Sequence, residues 1–201
     1  MISIFDCFGV LVDWKSEYVV PEWAKYARVS EPMLKEAIAE DMELCESGHI
    51  SMGEFWERLG KKFNVSPAGL EAIFTACFNK RAKLNDEVVD IVKSLPSAVL
   101  FSNQLPLLSD ICRKNGWFSY FSKVFLSFDV GYMKPDKRSY LAVLKELGMP
   151  EAVFIDDRER NVRAAELLGI KGIVYDNPAQ LKADLEKIYN VKLDIRKHGA
   201  A

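Results

Sequence analysis

Two short apolar runs in this chain each end on aspartate. Ile2-Ser3-Ile4-Phe5 runs into Asp6 and breaks at Gly9, and far downstream Ala152-Val153-Phe154-Ile155 ends in Asp156-Asp157. Apolar runs of this length, bounded by turn signals, read as buried strands. In an open parallel sheet the ligand site lies at the C-terminal ends of the strands, so these carboxylates can meet around one metal ion or one phosphate. One position departs from that pattern. Two residues after Asp6, where a second acid is expected, stands Phe8.

The remaining pattern completes the sheet. Strands are expected at 2–5, 98–101, 123–126, 152–155 and 172–175, with helices at 85–95, 105–114, 137–147 and 159–168. Strands alternating with helices across short loops specify an α/β fold, a doubly wound parallel sheet of Rossmann-like type with right-handed crossovers. One connection is far too long for that scheme. From about 13 to 84 the chain shows helical periodicity and no strand, with helices expected at 17–27, 31–46, 52–63 and 68–80. Ser30, Ser51 and Ser66 stand at N-cap positions, Glu54 completes a capping box with Ser51, and Pro32 and Pro67 fit first turns. The expected organisation is a core of residues 1–13 and 84–201, a helical cap of residues 14–83 inserted after the first strand, and a tail at 190–201 that frays from about 196. A cap there sits over the carboxylates, where a lid excludes water. Asp13 is expected to cap the first helix of the insertion.

Composition narrows the function classes. The 201 residues are 49% hydrophobic and 28% charged with a net charge of −2, which suits one globular domain with an insertion. That balance offers no electrostatic footprint for nucleic acid or an anionic membrane. No run is long enough to span a bilayer, and the first strand lacks the basic flank of a signal peptide. With no export signal, the four scattered cysteines (Cys7, Cys45, Cys77, Cys112) are expected as free thiols in the cytoplasm. No pattern sets an oligomeric state.

Each chemical motif has a plain structural alternative. Asp6 alone reads as a strand-end carboxylate bonded to loop amides; the functional reading is a nucleophile that attacks phosphorus and forms an aspartyl-phosphate. Ser102-Asn103 ends the second strand and can hold a phosphoryl group beside the amides of the next helix, or Ser102 can simply cap that helix. Lys134, on the turn Gly131-Tyr132-Met133-Lys134-Pro135-Asp136, can neutralise phosphate and nucleophile together, although most lysines are only solvated. Asp136 is best read as part of the helix start. Asp157 is a credible N-cap, but Asp156 and Asp157 also offer two hard oxygen ligands that, with Asp6, suit Mg²⁺. Asn161, one turn further on, can orient such a ligand. Cys7 and the aromatic residues Trp23, Phe55, Trp56, Phe63, Phe74 and Phe78 read as core, and His49 as a solvated loop residue.

Taken in order, Asp6–Leu11, Ser102-Asn103, Lys134-Pro135-Asp136 and Asp156-Asp157 with Asn161 closely resemble the haloacid dehalogenase superfamily. The likeness covers nearly the whole chain. In the insertion, Glu46-Ser47-Gly48-His49-Ile50-Ser51 followed by Glu54-Phe55 resembles the branch containing glucose-1-phosphate phosphatase and the N-terminal phosphatase domain of soluble epoxide hydrolase. The resemblance implies a Mg²⁺-dependent phosphatase of small phosphorylated metabolites. Asp6 is then nucleophile and metal ligand, the Phe8 carbonyl a second ligand, and Asp157 the firmest acidic ligand, with Asp156 assisting directly or through water. Ser102 and Asn103 take the phosphoryl oxygens, and Lys134 steadies the charge. Most phosphatases of the superfamily place an aspartate general acid at position 8, although the glucose-1-phosphate phosphatase branch tolerates a non-acid there. Dehalogenases place an aromatic tyrosine there, so a metal-independent 2-haloacid dehalogenase is a rival reading, and a catalytically weak binding or regulatory protein is another. Against the dehalogenase stand the retained acidic pair and Asn161 where dehalogenases carry aspartate. With Phe8 unable to donate a proton, a preference for phosphates with good leaving groups is expected.

Overall fold

The structure, a computed structural model, describes residues 1–195. The part of the expected tail from 196 to 201 lies outside these residues. In chain order the elements are β1 (Ile2–Phe5), β2 (Val12–Asp13), a 3-10 turn (Ser16–Tyr18), α1 (Val20–Ala27), α2 (Glu31–Glu46), α3 (Met52–Phe63), α4 (Pro67–Arg81), β3 (Lys83–Leu84), α5 (Asp86–Ser94), β4 (Ala98–Ser102), α6 (Pro106–Lys114), β5 (Lys123–Leu126), α7 (Ser127–Val130), α8 (Lys137–Glu146), β6 (Ala152–Asp156), α9 (Glu159–Glu166), β7 (Lys171–Val174) and α10 (Pro178–Tyr189).

Five strands form one parallel sheet in the order β5-β4-β1-β6-β7, with β1 at its centre, paired in register with β4 (Phe5 beside Leu100) and β6 (Phe5 beside Ile155). Successive strand residues face opposite sides, and both sides are covered. Phe5, Leu100, Val153 and Ile155 pack with α5, α6 and α10, whereas Ile4, Val99, Phe101 and Phe154 pack with Tyr140, Val143 and Leu144 of α8 and with Val162 and Ala165 of α9. This is the expected doubly wound α/β sheet.

The connection from β1 to α5 carries the four expected helices. Ser30, Ser51 and Ser66 accept the backbone amides of Met33, Glu54 and Gly69 as N-caps. The capping box is only half made, because the Glu54 carboxylate turns to Arg58, Nη2 at 2.6 Å, instead of reaching back to Ser51. The first insertion helix is broken in two. Pro21 has no amide hydrogen and cannot continue the turn begun at Ser16–Tyr18, so α1 starts afresh at Val20. Trp23, Phe55, Trp56, Phe74 and Phe78 are buried together, as their spacing predicts.

Asp13 does not cap a helix. It lies in β2, whose Val12 and Asp13 pair antiparallel with Leu84 and Lys83 of β3, so the two crossings between sheet and helices are laced side by side. Two-residue strands carry no periodicity, which is why sequence reading finds none there. The short α7 and the C-terminal α10 also go unread, and β7 begins one residue earlier than expected.

Candidate active site

Asp6, Asp156 and Asp157 converge at the C-terminal ends of β1 and β6. One carboxylate oxygen from each lies within 4.8 Å of the other two. Lys134 enters from the β5–α8 connection and is itself buried. Its Nζ reaches Asp6 Oδ1 at 2.9 Å and Asp156 Oδ2 at 2.8 Å, and donates to the Phe101 carbonyl at 2.9 Å. The Phe101 and Phe154 rings flank the ammonium at 5.1 and 5.2 Å. Burial alone would lower the Lys134 pKa, but the two carboxylates outweigh it and hold it above the ordinary value. Burial raises Asp6 well above the usual carboxylate range; Lys134 opposes this, and Asp156 and Asp157 reinforce it.

The two neighbouring aspartates are bonded very differently. Asp156 is saturated: besides Lys134 it accepts Asn161 Nδ2 on both oxygens, at 2.9 and 3.0 Å, and the Arg158 amide at 2.9 Å. Asn161 is fixed in turn where Tyr140 donates its hydroxyl to the Asn161 carbonyl at 2.8 Å. Asp157 Oδ1 is buried with no partner. It caps nothing, since Arg158 is the N-cap residue of α9 and makes no side-chain cap. The helix-start role thus falls to Asp156, through the Arg158 amide. Burial and Asp156 raise the Asp157 pKa. Gly9 makes this arrangement possible. Its φ is +90°, and a Cβ there would stand 2.4 Å from Asp157 Oδ2.

Ser102 ends β4 with its Oγ buried and unpartnered. Asn103 does something the sequence does not suggest. Its amide group pairs with the Lys134 backbone, Nδ2 donating to the carbonyl and Oδ1 accepting the amide, both at 2.9 Å. The side chain therefore holds the lysine loop in place, with one Nδ2 hydrogen left over at the cleft. Phe8 lines the cleft above Asp6 and packs edge-on against Phe78 of α4, centroids 6.0 Å apart. Cys7 is buried in the core, and Asp136 caps α8 through the Arg138 amide at 2.8 Å.

Over these groups lies a cleft of about 470 Å³ bounded by Asp6, Phe8, Asn103, Lys134 and Asp157. It continues into a second space of about 590 Å³ between α1, α2 and the Gly131–Arg138 segment, which includes His49 and Tyr132. Glu46, Met42 and Arg160 border both spaces. Gln104 faces the first cleft, with both polar atoms of its buried amide unpartnered. Sequence reading picks out neither Glu46 nor Gln104 as chemistry, because nothing in their spacing links them to Asp6.

The family model for haloacid dehalogenase-like hydrolases matches residues 2–169. The chain belongs to the haloacid dehalogenase-like hydrolases. Among curated proteins, this hydrolase is 27% identical to a sesquiterpene phosphatase of Aspergillus oryzae, over 85% of this chain and 87% of that protein. It is 24% identical to a drimenol cyclase of Aspergillus calidoustus, over 72% of this chain but only 29% of the cyclase. A flavin mononucleotide hydrolase of Arabidopsis thaliana is 38% identical over 35% of this chain and 29% of its own length. The hydrolase shares its fold with a HAD-like family hydrolase of Porphyromonas gingivalis (TM-score 0.79, 23% identity, 95% of this chain and 98% of that one). The same holds for a family enzyme of Bacteroides thetaiotaomicron in complex with magnesium and inorganic phosphate (TM-score 0.72, 24% identity, 87% and 93% covered). No described helix is long and apolar enough to cross a membrane.

The aspartate cluster fits a magnesium ion. Mg²⁺ takes oxygen ligands at about 2.0–2.1 Å, so oxygens on opposite sides of one ion stand about 4.2 Å apart. One oxygen of each of the three carboxylates lies within 4.8 Å of the others, near enough to approach one ion, and Asp157 Oδ1 is a buried acceptor without a donor. One ammonium, Lys134, directly contacts Asp6 and Asp156, while Arg158 acts on Asp157.

Proposed function

We propose that this hydrolase is a Mg²⁺-dependent phosphatase of small phosphorylated metabolites that works through an aspartyl-phosphate on Asp6. The observation that carries the reading is the division of labour between the aspartates: Asp156 is fully bonded to Lys134 and Asn161, whereas Asp157 keeps an unpartnered oxygen beside Asp6. A metal-independent dehalogenase has no use for that second acid.

Asp6, the Phe8 carbonyl and Asp157 would hold the ion, with Asp156 in support through Lys134 and Asn161. When bound, the ion draws charge from the phosphoryl oxygens and offsets their repulsion of the nucleophile. Lys134 holds the Asp6 carboxylate by its Oδ1 and balances the charge that builds up as phosphorus is approached. Ser102 Oγ lacks a partner and can donate to a phosphoryl oxygen, while Asn103 keeps Lys134 in place. In this reading residues 14–83 are the cap, the β2–β3 pair is its hinge, and the space between α1, α2 and Gly131–Arg138 receives the leaving group. The four buried free thiols accord with work in the cytoplasm.

The test is turnover of a panel of phosphate esters with Mg²⁺ or with EDTA, for wild type, Asp6→Asn and Asp157→Asn. Wild-type activity is expected only with the metal. Asp6→Asn should lose it entirely and keep its fold, and Asp157→Asn should need far more Mg²⁺. Full activity in excess EDTA, or an active Asp6→Asn variant, would defeat the proposal.

A further inference from the structure

The family mechanism needs a proton for the departing alcohol, and Phe8 cannot provide one. The fold places a different acid at the same cleft. Glu46 is the last residue of α2, and it lines both the space over Asp6 and the space beyond it. The last turn of α2 carries no basic residue, so the carboxyl stands at the negative end of a 16-residue helix, where an anion is disfavoured.

This helix end is anchored to the catalytic strands. The buried Ser127 hydroxyl donates to the Glu46 carbonyl and accepts the Gln104 amide at 3.2 Å. Gln104 follows Asn103, which is bonded twice to the Lys134 backbone, and Lys134 reaches Asp6. Two residues on, Gly48 adopts φ +79°, and a Cβ there would stand 2.4 Å from the Phe128 carbonyl oxygen, so the turn after α2 lies directly on α7. The backbone at Glu46 is thus tied through Ser127 to the segment that follows Ser102.

Resting on the phosphatase reading, we infer that Glu46 is the general acid and base of this enzyme, in place of the side chain missing at position 8. As an Asp6 oxygen bonds to phosphorus, the bond from phosphorus to the leaving oxygen breaks. That oxygen keeps the electron pair and takes the proton of the Glu46 carboxyl, giving a free alcohol, the aspartyl-phosphate and a Glu46 carboxylate. In the second half the carboxylate takes a proton from water, the hydroxide oxygen bonds to phosphorus, and the bond to Asp6 breaks. Phosphate, the Asp6 carboxylate and the Glu46 acid result. The neutral form is available near physiological pH: burial pushes Glu46 up to about 7, Arg158 opposes this, and Glu43 and Asp6 add to it. The other charged groups facing the shared part of the cleft are Glu17, Lys134 and Arg160.

The experiment compares wild type with Glu46→Gln on alkyl phosphates and on an activated aryl phosphate, with Mg²⁺, across pH 5–9. General acid assistance is worth about 10²–10⁴-fold, and mostly for poor leaving groups. Glu46→Gln should therefore lose about 10²-fold or more on alkyl phosphates and only a few-fold in forming the phosphoenzyme from the aryl ester. The alkyl rate of wild type should fall above about pH 7, and that limb should vanish in the variant. The ratio of the two rates within one preparation is independent of the fraction folded, so instability cannot imitate the result. An equal loss on both esters would make Glu46 a binding residue and overturn the inference, as would no loss at all. In either case, labelled phosphoenzyme trapped on Asp6 would leave the phosphatase reading intact. Absence of any Mg²⁺-dependent turnover by wild type would overturn both.

Discussion

Deleting the Lys134 charge takes away the one ammonium that contacts both Asp6 and Asp156. Lys134→Met keeps most of the stem but removes an ammonium with acceptors at 2.8 Å (Asp156), 2.9 Å (Asp6) and 2.9 Å (the Phe101 carbonyl), all in a buried setting. Removing one partner of a buried ion pair costs about 3–5 kcal/mol, because the remaining charge is left without compensation. Here two carboxylates depend on the one lysine, which puts the loss toward the upper end. For a chain of this length each kcal/mol corresponds to about 2–4 °C, so the melting temperature should drop by about 6–20 °C. A double-mutant cycle with Asp156→Asn isolates the cause. Alone, Asp156→Asn breaks the ion pair; in the Lys134→Met background it removes an orphaned charge. The double variant should therefore be more stable than the sum of the singles predicts, by about 1–3 kcal/mol. Denaturant unfolding in EDTA-containing buffer measures this without a metal ion standing in for the ammonium. Additive losses, or a Lys134→Met variant that melts like wild type, would refute the view that the lysine compensates the two acids.

Gly9→Ala should weaken Mg²⁺ binding by about 10–100-fold by displacing the Asp157 carboxylate, as seen by calorimetric titration; wild-type affinity would refute the close approach. Asp41→Asn removes bonds to Lys62 (2.8 Å) and Arg58 (3.2 Å) that tie α2 to α3. Both partners are well exposed, which limits the cost to about 1 kcal/mol. Burial would raise the Asp41 pKa, yet Lys62 and Arg58 hold it below 3.8, so this stability is present above the unfolded value and lost as pH falls through the folded one. The melting-temperature gap between wild type and Asp41→Asn should accordingly close in acid. Phe8→Asp added to Glu46→Gln should restore alkyl phosphate turnover, at some cost in stability from the lost packing on Phe78; kinetics and melting on the same sample check both halves.

The strands are legible in the sequence because a parallel sheet buried on both faces demands unbroken apolar runs, such as 98–101 and 152–155. The insertion helices are legible because serine caps and first-turn prolines mark the starts of three of them. α10 carries the same kind of signal, Asn177 as cap and Pro178 in its first turn, and still goes unread. The other features that escape are decided by tertiary contact. The β2–β3 pair is two residues long on each side and exists only because both crossings lie together. Glu54 leaves its capping box for Arg58, a choice between two local partners that sequence spacing leaves open.

For the site the same division holds more sharply. That Asp6, Asp156 and Asp157 meet follows from their places at the ends of β1 and β6, and Lys134 joins them from the turn before α8. Which aspartate is free for a metal does not follow, since Asp156 and Asp157 are adjacent and chemically identical. The choice is made by Asn161, Arg158 and Lys134, which consume the acceptors of Asp156 and leave Asp157 Oδ1 bare. Asn103 follows the same logic, largely taken up by the Lys134 backbone it supports. Glu46 carries one physical signal that sequence does show, an acid at a helix C-terminus without a nearby base, where a lysine would be worth more. An unfavourable charge kept at such a place, on a helix end clamped through Ser127 to the catalytic strands, is better explained by use than by stability.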